Sequence, residues 1–296
     1  GLIQQRHGTE ASRIRVIHRG VDPSVFDPER MAPDRQIRLL RAWRVQDGQT
    51  TLMLPGRLTR WKGQAVLIEA LARMRHREAV VVLVGADQGR ARYTAELADL
   101  AGRLGVAERL RIVGHCEDMP AALSLSDVVV NASTDPAAFG RVVIEAQAMA
   151  RPVIATDHGG AVETIEHGVT GWRVPPADPD ALAAALDHAL DLSATDRAAL
   201  GAAARASVQA SYTVEAMQMK TIEVYQRRDI VGHVRRLAPL FAARLARLGE
   251  HPLVGDAAGV GLIGGIELVA DRKTKARFSR DAKVGLACGR FCEQEG

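Results

Sequence analysis

Two cationic side chains lie in a short loop that begins with a glycine. The segment Pro55–Gly63 places Arg57 and Lys62 between a predicted strand and a predicted helix. Gly56 lets the backbone approach a ligand closely, and the N-terminus of the following helix favours anions. The arrangement suits a diphosphate leaving group, whose charge must be neutralised as its bond to a sugar breaks. An ordinary turn with two solvated cations explains the spacing alone equally well.

A second set of candidate residues opens a predicted helix in the middle of the chain. Phe139 and Gly140 stand at the start of this helix, where free backbone N–H groups can hold a phosphate or sugar oxygen. Glu145 lies well inside the helix among valine and isoleucine residues, so its carboxylate needs a partner. The two hydroxyl groups of a sugar diol would satisfy it. A backbone group or an arginine would do so as well, and for Glu145 alone this structural explanation is favoured.

Together with other segments, these residues resemble the C-terminal donor-binding domain of the family 4 glycosyltransferases, which have the GT-B fold. The resemblance runs almost continuously from residue 16 to residue 225. Its motifs, in chain order, are Val16–Asp22, Gly56-Arg57 with Lys62-Gly63, Val82–Gly85, Phe139-Gly140 with Glu145-Ala146, Arg151–Thr156, Gly159-Gly160, Glu163 and His167–Gly171. The resemblance implies a retaining hexosyltransferase that uses a nucleotide-sugar donor and needs no bound metal or other cofactor.

The same resemblance implies roles for individual residues. Arg57 and Lys62 would hold the donor diphosphate, and Glu145 would bind the ribose hydroxyls. Phe139 and Gly140 would line the pyrophosphate and sugar pocket. The expected donor-binding set is Gly56, Arg57, Lys62, Gly85, Phe139, Gly140 and Glu145, with the loop His115–Pro120 beside the base.

Two departures from the family bear on turnover. The family has a glutamate eight positions before Glu145, where this chain has Ala137, so no catalytic residue is assigned with certainty. An alanine there leaves donor hydroxyl groups without an acceptor, at a cost of about 1 to 3 kcal/mol. The acceptor-binding N-terminal domain of the family is also missing from these 296 residues, and positioning supplies much of such catalysis. Three hypotheses follow: a transferase completed by another domain or chain, a catalytically incomplete nucleotide-sugar-binding module, and an inactive fusion.

The last 70 residues resemble a different family. The segments His251–Gly255 and Gly259–Val269 are similar to the C-terminal small domain of class III aminotransferases, with Ala258 where that family usually has arginine. Such enzymes hold pyridoxal phosphate with a Schiff-base lysine and a phosphate cup, both upstream of this segment in the family. The lysines of the segment have no such context, so neither pyridoxal phosphate nor transaminase activity is expected; they are Lys273, Lys275 and Lys283.

The elements that must position these residues alternate along the chain. Short β-branched runs followed by helical patterns predict an α/β fold, a doubly wound parallel sheet of the Rossmann-like kind with crossover helices. Ligands of such sheets bind beyond the carboxyl ends of the strands. We therefore expect a nucleotide-sugar-binding domain over residues 1–226 and a small α+β segment over residues 227–296. The predicted strands are Thr51–Leu54, Ala79–Val84, Leu110–Val113, Asp127–Asn131, Pro152–Thr156 and Gly171–Val174, followed in the second segment by a hairpin or long strand over Val260–Val269.

Composition limits the partners. The chain has a net charge of +4, and its last 70 residues, with 13 Lys and Arg against 8 Asp and Glu, account for the excess. Basic and aromatic residues do not interleave as in a nucleic-acid-binding platform, so no nucleic-acid partner is expected. Three sparse cysteines fit a reducing cytoplasm, and peripheral attachment to the inner face of the membrane remains an alternative.

No metal site is expected either. The acidic pair Asp178 and Asp180 is better explained as a helix cap than as a metal-binding motif. Cys288 and Cys292 share a predicted helix face, but no other ligand lies near them in sequence. We therefore expect them to be buried free thiols.

Overall fold

The computed structural model describes residue 4 and residues 7–295. The chain forms two compact units, of which the first ends at Met219 and the second begins at Lys220. This division lies inside the helix Val214–Arg227, slightly before the boundary near residue 227 that pattern and charge predict.

A six-stranded parallel sheet forms the centre of the first unit. Its order is β3-β2-β1-β4-β5-β6, the doubly wound order of dinucleotide-binding folds, and every neighbouring pair is parallel. The predicted α/β fold with a doubly wound parallel sheet is therefore confirmed. The strands are β1 (Thr51–Pro55), β2 (Val80–Val84), β3 (Leu110–Gly114), β4 (Val128–Asn131), β5 (Val153–Thr156) and β6 (Trp172–Val174).

Burial on both faces explains why the central strands are continuous apolar runs. All five residues of β1 and all five of β2 are buried. Met53 of β1 pairs with Val82 of β2 on one side and with Val129 of β4 on the other. Because helices cover both faces, a strand in this position cannot alternate apolar with polar residues.

Helices cover the sheet on both sides. The prediction for Asp178 is confirmed, because its carboxylate accepts hydrogen bonds from the N–H groups of Asp180 and Ala181 at 3.1 and 2.9 Å. The helix α1, by contrast, was not predicted; it precedes β1 and buries Trp43. The helices of the first unit, with the one that crosses the division, are α1 (Pro33–Trp43), α2 (Gln64–Arg73), α3 (Ala91–Arg103), α4 (Met119–Ser124), α5 (Arg141–Ala148), α6 (Ala161–Thr164), α7 (Pro179–Leu190), α8 (Ala194–Ser211) and α9 (Val214–Arg227).

The second unit consists of the helix α10 (Ile230–Gly249), a two-stranded hairpin and the helix α11 (Val284–Glu295). The hairpin joins β7 (Val254–Val260) to β8 (Ile263–Leu268) in antiparallel pairing. It thus begins six residues earlier than the predicted Val260–Val269, since the small residues of β7 give a weak strand signal. Among the described residues of this unit, only Val254 and Val269 are buried.

The cysteines correct one expectation. Cys116 is buried, but Cys288 and Cys292 are exposed on α11 rather than buried. The described residues contain no cluster of three or more histidine, cysteine or acidic side chains placed to hold a metal ion. Within the same part of the chain, every helix is too short or too polar to span a bilayer.

Candidate functional site

The strand order places a crevice between β1 and β4. From β1 the sheet continues to β2 on one side, and from β4 it continues to β5 on the other. The strand order therefore reverses at the carboxyl ends of β1 and β4, which is where doubly wound sheets bind ligands. The loop after β1 carries Arg57 and Lys62, and the loop after β4 carries Phe139 and Gly140.

Backbone contacts with the next strand fix the start of the first loop. The N–H of Gly56 donates to the carbonyl of Val84 at 2.8 Å, and the N–H of Leu58 donates to the carbonyl of Ala86 at 3.1 Å. A Cβ atom on Gly85 would lie only 1.9 Å from the carbonyl oxygen of Gly56. Gly85, one of the expected donor-binding residues, thus allows the two loops to pack closely.

The loops after β1 and β4 are also joined directly. Gly63 has a φ of +72°, and a Cβ atom on it would lie 1.8 Å from the carbonyl oxygen of Ala132. The N–H of Thr134 donates to the carbonyl of Trp61 at 2.8 Å. The loop with the two cations is therefore held against the loop that leads to Phe139 and Gly140.

The two predicted cations lie near each other and lack acidic partners. The Lys62 side chain is half-buried, with Nζ 4.3 Å from the centre of the Trp61 ring. Burial lowers the pKa of the Lys62 amine, and the positive charge of Arg57 lowers it further. Neither cation forms an ion pair with a carboxylate in the described part of the chain. Because like charges repel each other, this pair would be stabilised by an anion.

The second predicted set begins with a left-handed glycine. Gly140 has a φ of +70° and stands at the N-terminus of α5, which no side chain caps among the described residues. A Cβ atom on Gly140 would lie 3.2 Å from Nδ2 of Asn131, the last residue of β4. The first N–H groups of α5 therefore start directly beyond the carboxyl end of β4, where an anion can accept from them.

Position 137 is held by the loop that follows β5. The carbonyl of Ala137 accepts a hydrogen bond from the N–H of Gly160 at 3.0 Å. A Cβ atom on Gly159 would lie 2.3 Å from the same carbonyl oxygen. The backbone at Ala137 is thus fixed, although its side chain offers no carboxylate.

Glu145 has an arginine partner, Arg141, as the structural explanation favoured for this residue alone predicts. Its side chain is nearly buried, and its Oε1 accepts from Nη2 and Nε of Arg141 at 2.8 and 3.1 Å. Arg141 lies one helical turn earlier on α5, so the i,i+4 rule would have identified this pair. Both guanidinium contacts reach the same oxygen, which leaves Oε2 outside the ion pair.

The loop expected to flank the base follows the edge strand β3. Its Asp118 accepts from Nη2 and Nε of Arg35 at 2.6 and 2.9 Å, and this contact ties the loop to α1. The Arg35 guanidinium lowers the pKa of the Asp118 carboxyl. Burial raises the pKa of the Cys116 thiol in the same loop. A cleft of about 750 Å³ runs beside the loop, lined by α1, β3 and residues 115–118.

The chain is similar to known glycosyltransferases. Residues 49–192 match the family model described as "Glycosyl transferases group 1". An uncharacterized glycosyltransferase of Methanocaldococcus jannaschii is 31% identical over 62% of this chain and 46% of its own length. A D-inositol 3-phosphate glycosyltransferase of Jonesia denitrificans is 30% identical over 62% of this chain and 45% of its own length. The chain thus spans less than half the length of these curated relatives.

Solved structures lead to the same class. A glycosyltransferase from Rickettsia africae matches with a TM-score of 0.74 and 33% identity, over 76% of this chain and 60% of its own. The Anabaena protein HepE, solved with UDP-glucose, matches with a TM-score of 0.68 and 29% identity, over 74% of this chain and 59% of its own. Residues 49–192 therefore match a glycosyltransferase group 1 domain, and the fold is similar to that of GT-B glycosyltransferase structures.

Proposed function

We propose that the first unit binds a nucleotide-sugar donor and is the donor half of a retaining family 4 glycosyltransferase. The observation that carries the proposal is the pair of cations, Arg57 and Lys62, which lie in the loop after β1 without acidic partners among the described residues. Structures of the similar HepE protein contain UDP, glucose and UDP-glucose. A similar mannosyltransferase of Mycobacterium tuberculosis is GDP-mannose-dependent.

The chemistry follows from the charge distribution. In the transfer, the bond between the anomeric carbon and the β-phosphate oxygen breaks, and an acceptor hydroxyl oxygen bonds to that carbon. The hydroxyl proton passes to the departing β-phosphate oxygen and from there to solvent. The released nucleoside diphosphate gains negative charge, which Arg57 and Lys62 would neutralise together with the N–H groups beyond Gly140. With these cations in place, the donor diphosphate needs no metal ion. Phe139 would line the sugar pocket.

Glu145 is assigned to the ribose hydroxyls of the donor. Its Oε1 is engaged by Arg141, while Oε2 lies outside that ion pair. A carboxylate oxygen accepts hydrogen bonds from two vicinal hydroxyl groups readily. Arg141 then keeps a nearly buried carboxylate neutralised before the donor arrives, since an unpaired one would be costly.

A second candidate function is favoured by Ala137. The backbone at this position is fixed by Gly159 and Gly160, so a methyl group occupies the place where the family has a glutamate. On this account the chain binds a hexosyl donor without turning it over, as an incomplete module. The inactive fusion is a variant of the same account, in which the aminotransferase-like second unit has no pyridoxal phosphate chemistry.

Donor consumption separates the two candidates. UDP-glucose and GDP-mannose are incubated with the full chain and with the Ala137→Glu variant, and released nucleoside diphosphate is measured. An enzyme releases it in the wild type, whereas an incomplete module releases it only in the variant. A rise in melting temperature with either donor, without consumption by either protein, supports binding alone. No rise with any nucleotide sugar would contradict both candidates.

Full transfer requires groups beyond this unit. We propose that an acceptor-binding domain or chain closes over the crevice, because positioning two reactants supplies a large part of the rate enhancement. The protein would act in the cytoplasm, with peripheral attachment to the inner membrane face where the acceptor is a lipid.

A further inference from the structure

Three aromatic rings meet beside the turn formed by Phe139 and Gly140. The ring centres of His18 and Tyr212 lie 5.6 and 6.0 Å from that of Phe139, and 5.5 Å from each other. His18 precedes β1, Phe139 follows β4, and Tyr212 follows α8. The cluster therefore joins three parts of the chain that are distant in sequence.

Glu163 of α6 connects two of these rings. Its Oε2 lies 2.5 Å from Nε2 of His18, and its backbone carbonyl accepts from the Tyr212 hydroxyl at 2.7 Å. A carboxylate oxygen only accepts when ionised, so Nε2 of His18 is the donor of the first hydrogen bond. The positions of both rings thus depend on Glu163.

Glu163 also belongs to the turn that packs against the backbone of Phe139. Its N–H donates to the carbonyl of Gly160 at 3.2 Å. A Cβ atom on Gly160 would lie 2.3 Å from the carbonyl oxygen of Phe139. These contacts connect the Phe139 backbone to Gly160 and, through the turn, to Glu163. Glu163 in turn contacts His18, whose ring packs near the Phe139 ring.

We propose that His18 and Glu163 are positioning residues that hold the Phe139–Gly140 turn in the conformation that binds the donor. The inference rests on the proposed function. A turn that is already ordered does not lose conformational freedom when the ligand binds, so less binding free energy is lost. Both residues act through Phe139, whose neighbour Gly140 starts the helix with the free N–H groups.

Hydrogen–deuterium exchange of the ligand-free chain tests the positioning directly. In the His18→Ala and Glu163→Ala variants, amides of residues 139–144 should exchange about tenfold faster, because the turn opens locally. Amides of β1 and β2 should exchange as in the wild type. Glu163→Gln, whose amide oxygen still accepts from His18, should stay within about threefold of the wild type. Asp191→Ala is the matched control, since it removes a second His–carboxylate contact, at 3.0 Å from His76.

Calorimetric titration with UDP-glucose and GDP-mannose gives the second measurement. The Kd of whichever donor binds the wild type should rise about tenfold in both alanine variants and remain unchanged in Asp191→Ala. Unchanged exchange at residues 139–144, equally faster exchange throughout the sheet, or Glu163→Gln behaving like Glu163→Ala would overturn the positioning role. Equal donor Kd values in wild type and alanine variants would overturn it too. Absence of binding to the wild type would instead overturn the proposed function, and the role of both residues with it.

Discussion

Gly63 packs directly on Ala132, so that the loop after β1 and the loop after β4 share one backbone contact at the crevice. A Cβ atom on Gly63 would lie 1.8 Å from the Ala132 carbonyl oxygen and 3.0 Å from the Ala132 Cβ. Gly63 directly follows Lys62, and Ala132 begins the segment that leads from β4 to Gly140. The contact therefore brings the two segments together. This contact and the hydrogen bond from the N–H of Thr134 to the carbonyl of Trp61 thereby connect the loops of the two candidate anion-binding groups, the cations and the helix N-terminus.

Gly63→Ala should separate these loops. The added methyl group meets backbone atoms that cannot rotate away, at a φ of +72° where alanine is itself strained. We expect a loss of about 2 kcal/mol or more in the free energy of unfolding, measured by urea denaturation, and weaker donor binding. Gly89→Ala is the control, because Gly89 has a φ of +81° with nothing within 4 Å of a Cβ atom. Equal losses of unfolding free energy in both variants would show that backbone strain, and not the contact with Ala132, causes the loss.

Arg57→Gln should raise the pKa of Lys62. Burial lowers that pKa first, and the Arg57 charge adds to the effect, so removing the charge removes the second cause only. The Lys62 amine can be followed by NMR titration of the labelled side chain. Arg60→Gln is the matched control, since the Arg60 guanidinium pairs with Glu96 at 2.5 Å. An unshifted Lys62 pKa in Arg57→Gln would mean that the two cations do not act on one site.

Glu145→Gln should weaken donor binding while preserving the fold. The amide oxygen can still accept from Arg141, but it lacks the charge that strengthens hydrogen bonds to ribose hydroxyls. We expect a donor Kd about tenfold higher, measured by titration calorimetry. The control is Glu69→Gln, which alters a comparable i,i+4 pair with Arg73 on α2. If both variants bind the donor as the wild type does, the role of Glu145 is limited to its ion pair with Arg141.

The pH dependence of stability should contain a contribution from His76. Its hydrogen bonds to Asp191 and then Glu78 raise the His76 pKa, so the folded state favours the protonated ring. The contribution is therefore complete below the unfolded pKa of about 6.5 and is lost as the pH rises through the folded pKa. Urea midpoints measured between about pH 5.5 and pH 9 should fall less in Asp191→Asn than in the wild type. An equal slope in Asp191→Asn and in the wild type would contradict the assignment.

The fold could be predicted from the sequence because the patterns that indicate its strands and helices are local. Runs such as Val80–Val84 are apolar throughout, as strands buried on both faces must be, and Asp178-Pro179 marks a helix start by its own chemistry. The helix α1 was missed although Ile37, Leu40 and Trp43 recur at helical spacing, so this pattern was present in the sequence.

Only part of the candidate site could be predicted from the sequence. Arg57, Lys62 and Gly140 were predicted from their types and from the resemblance, and their role in donor binding stays a prediction. Arg141 could have been found from its i,i+4 spacing to Glu145. The contact of His18 with Glu163 joins residues 145 positions apart, so no local pattern could reveal it. Such pairings depend on the completed fold, in which both residues reach the same turn.

The most direct test of the central claim is calorimetric titration of the full chain with UDP-glucose and GDP-mannose, beside the Arg57→Gln/Lys62→Gln double variant and the Arg60→Gln control. If the two cations form the diphosphate site, the wild type and Arg60→Gln bind one of the donors with the same saturable Kd. The double variant should then lose at least about a hundredfold in affinity, since two charge-assisted contacts are removed. Equal donor affinity in the double variant and the wild type would contradict the account.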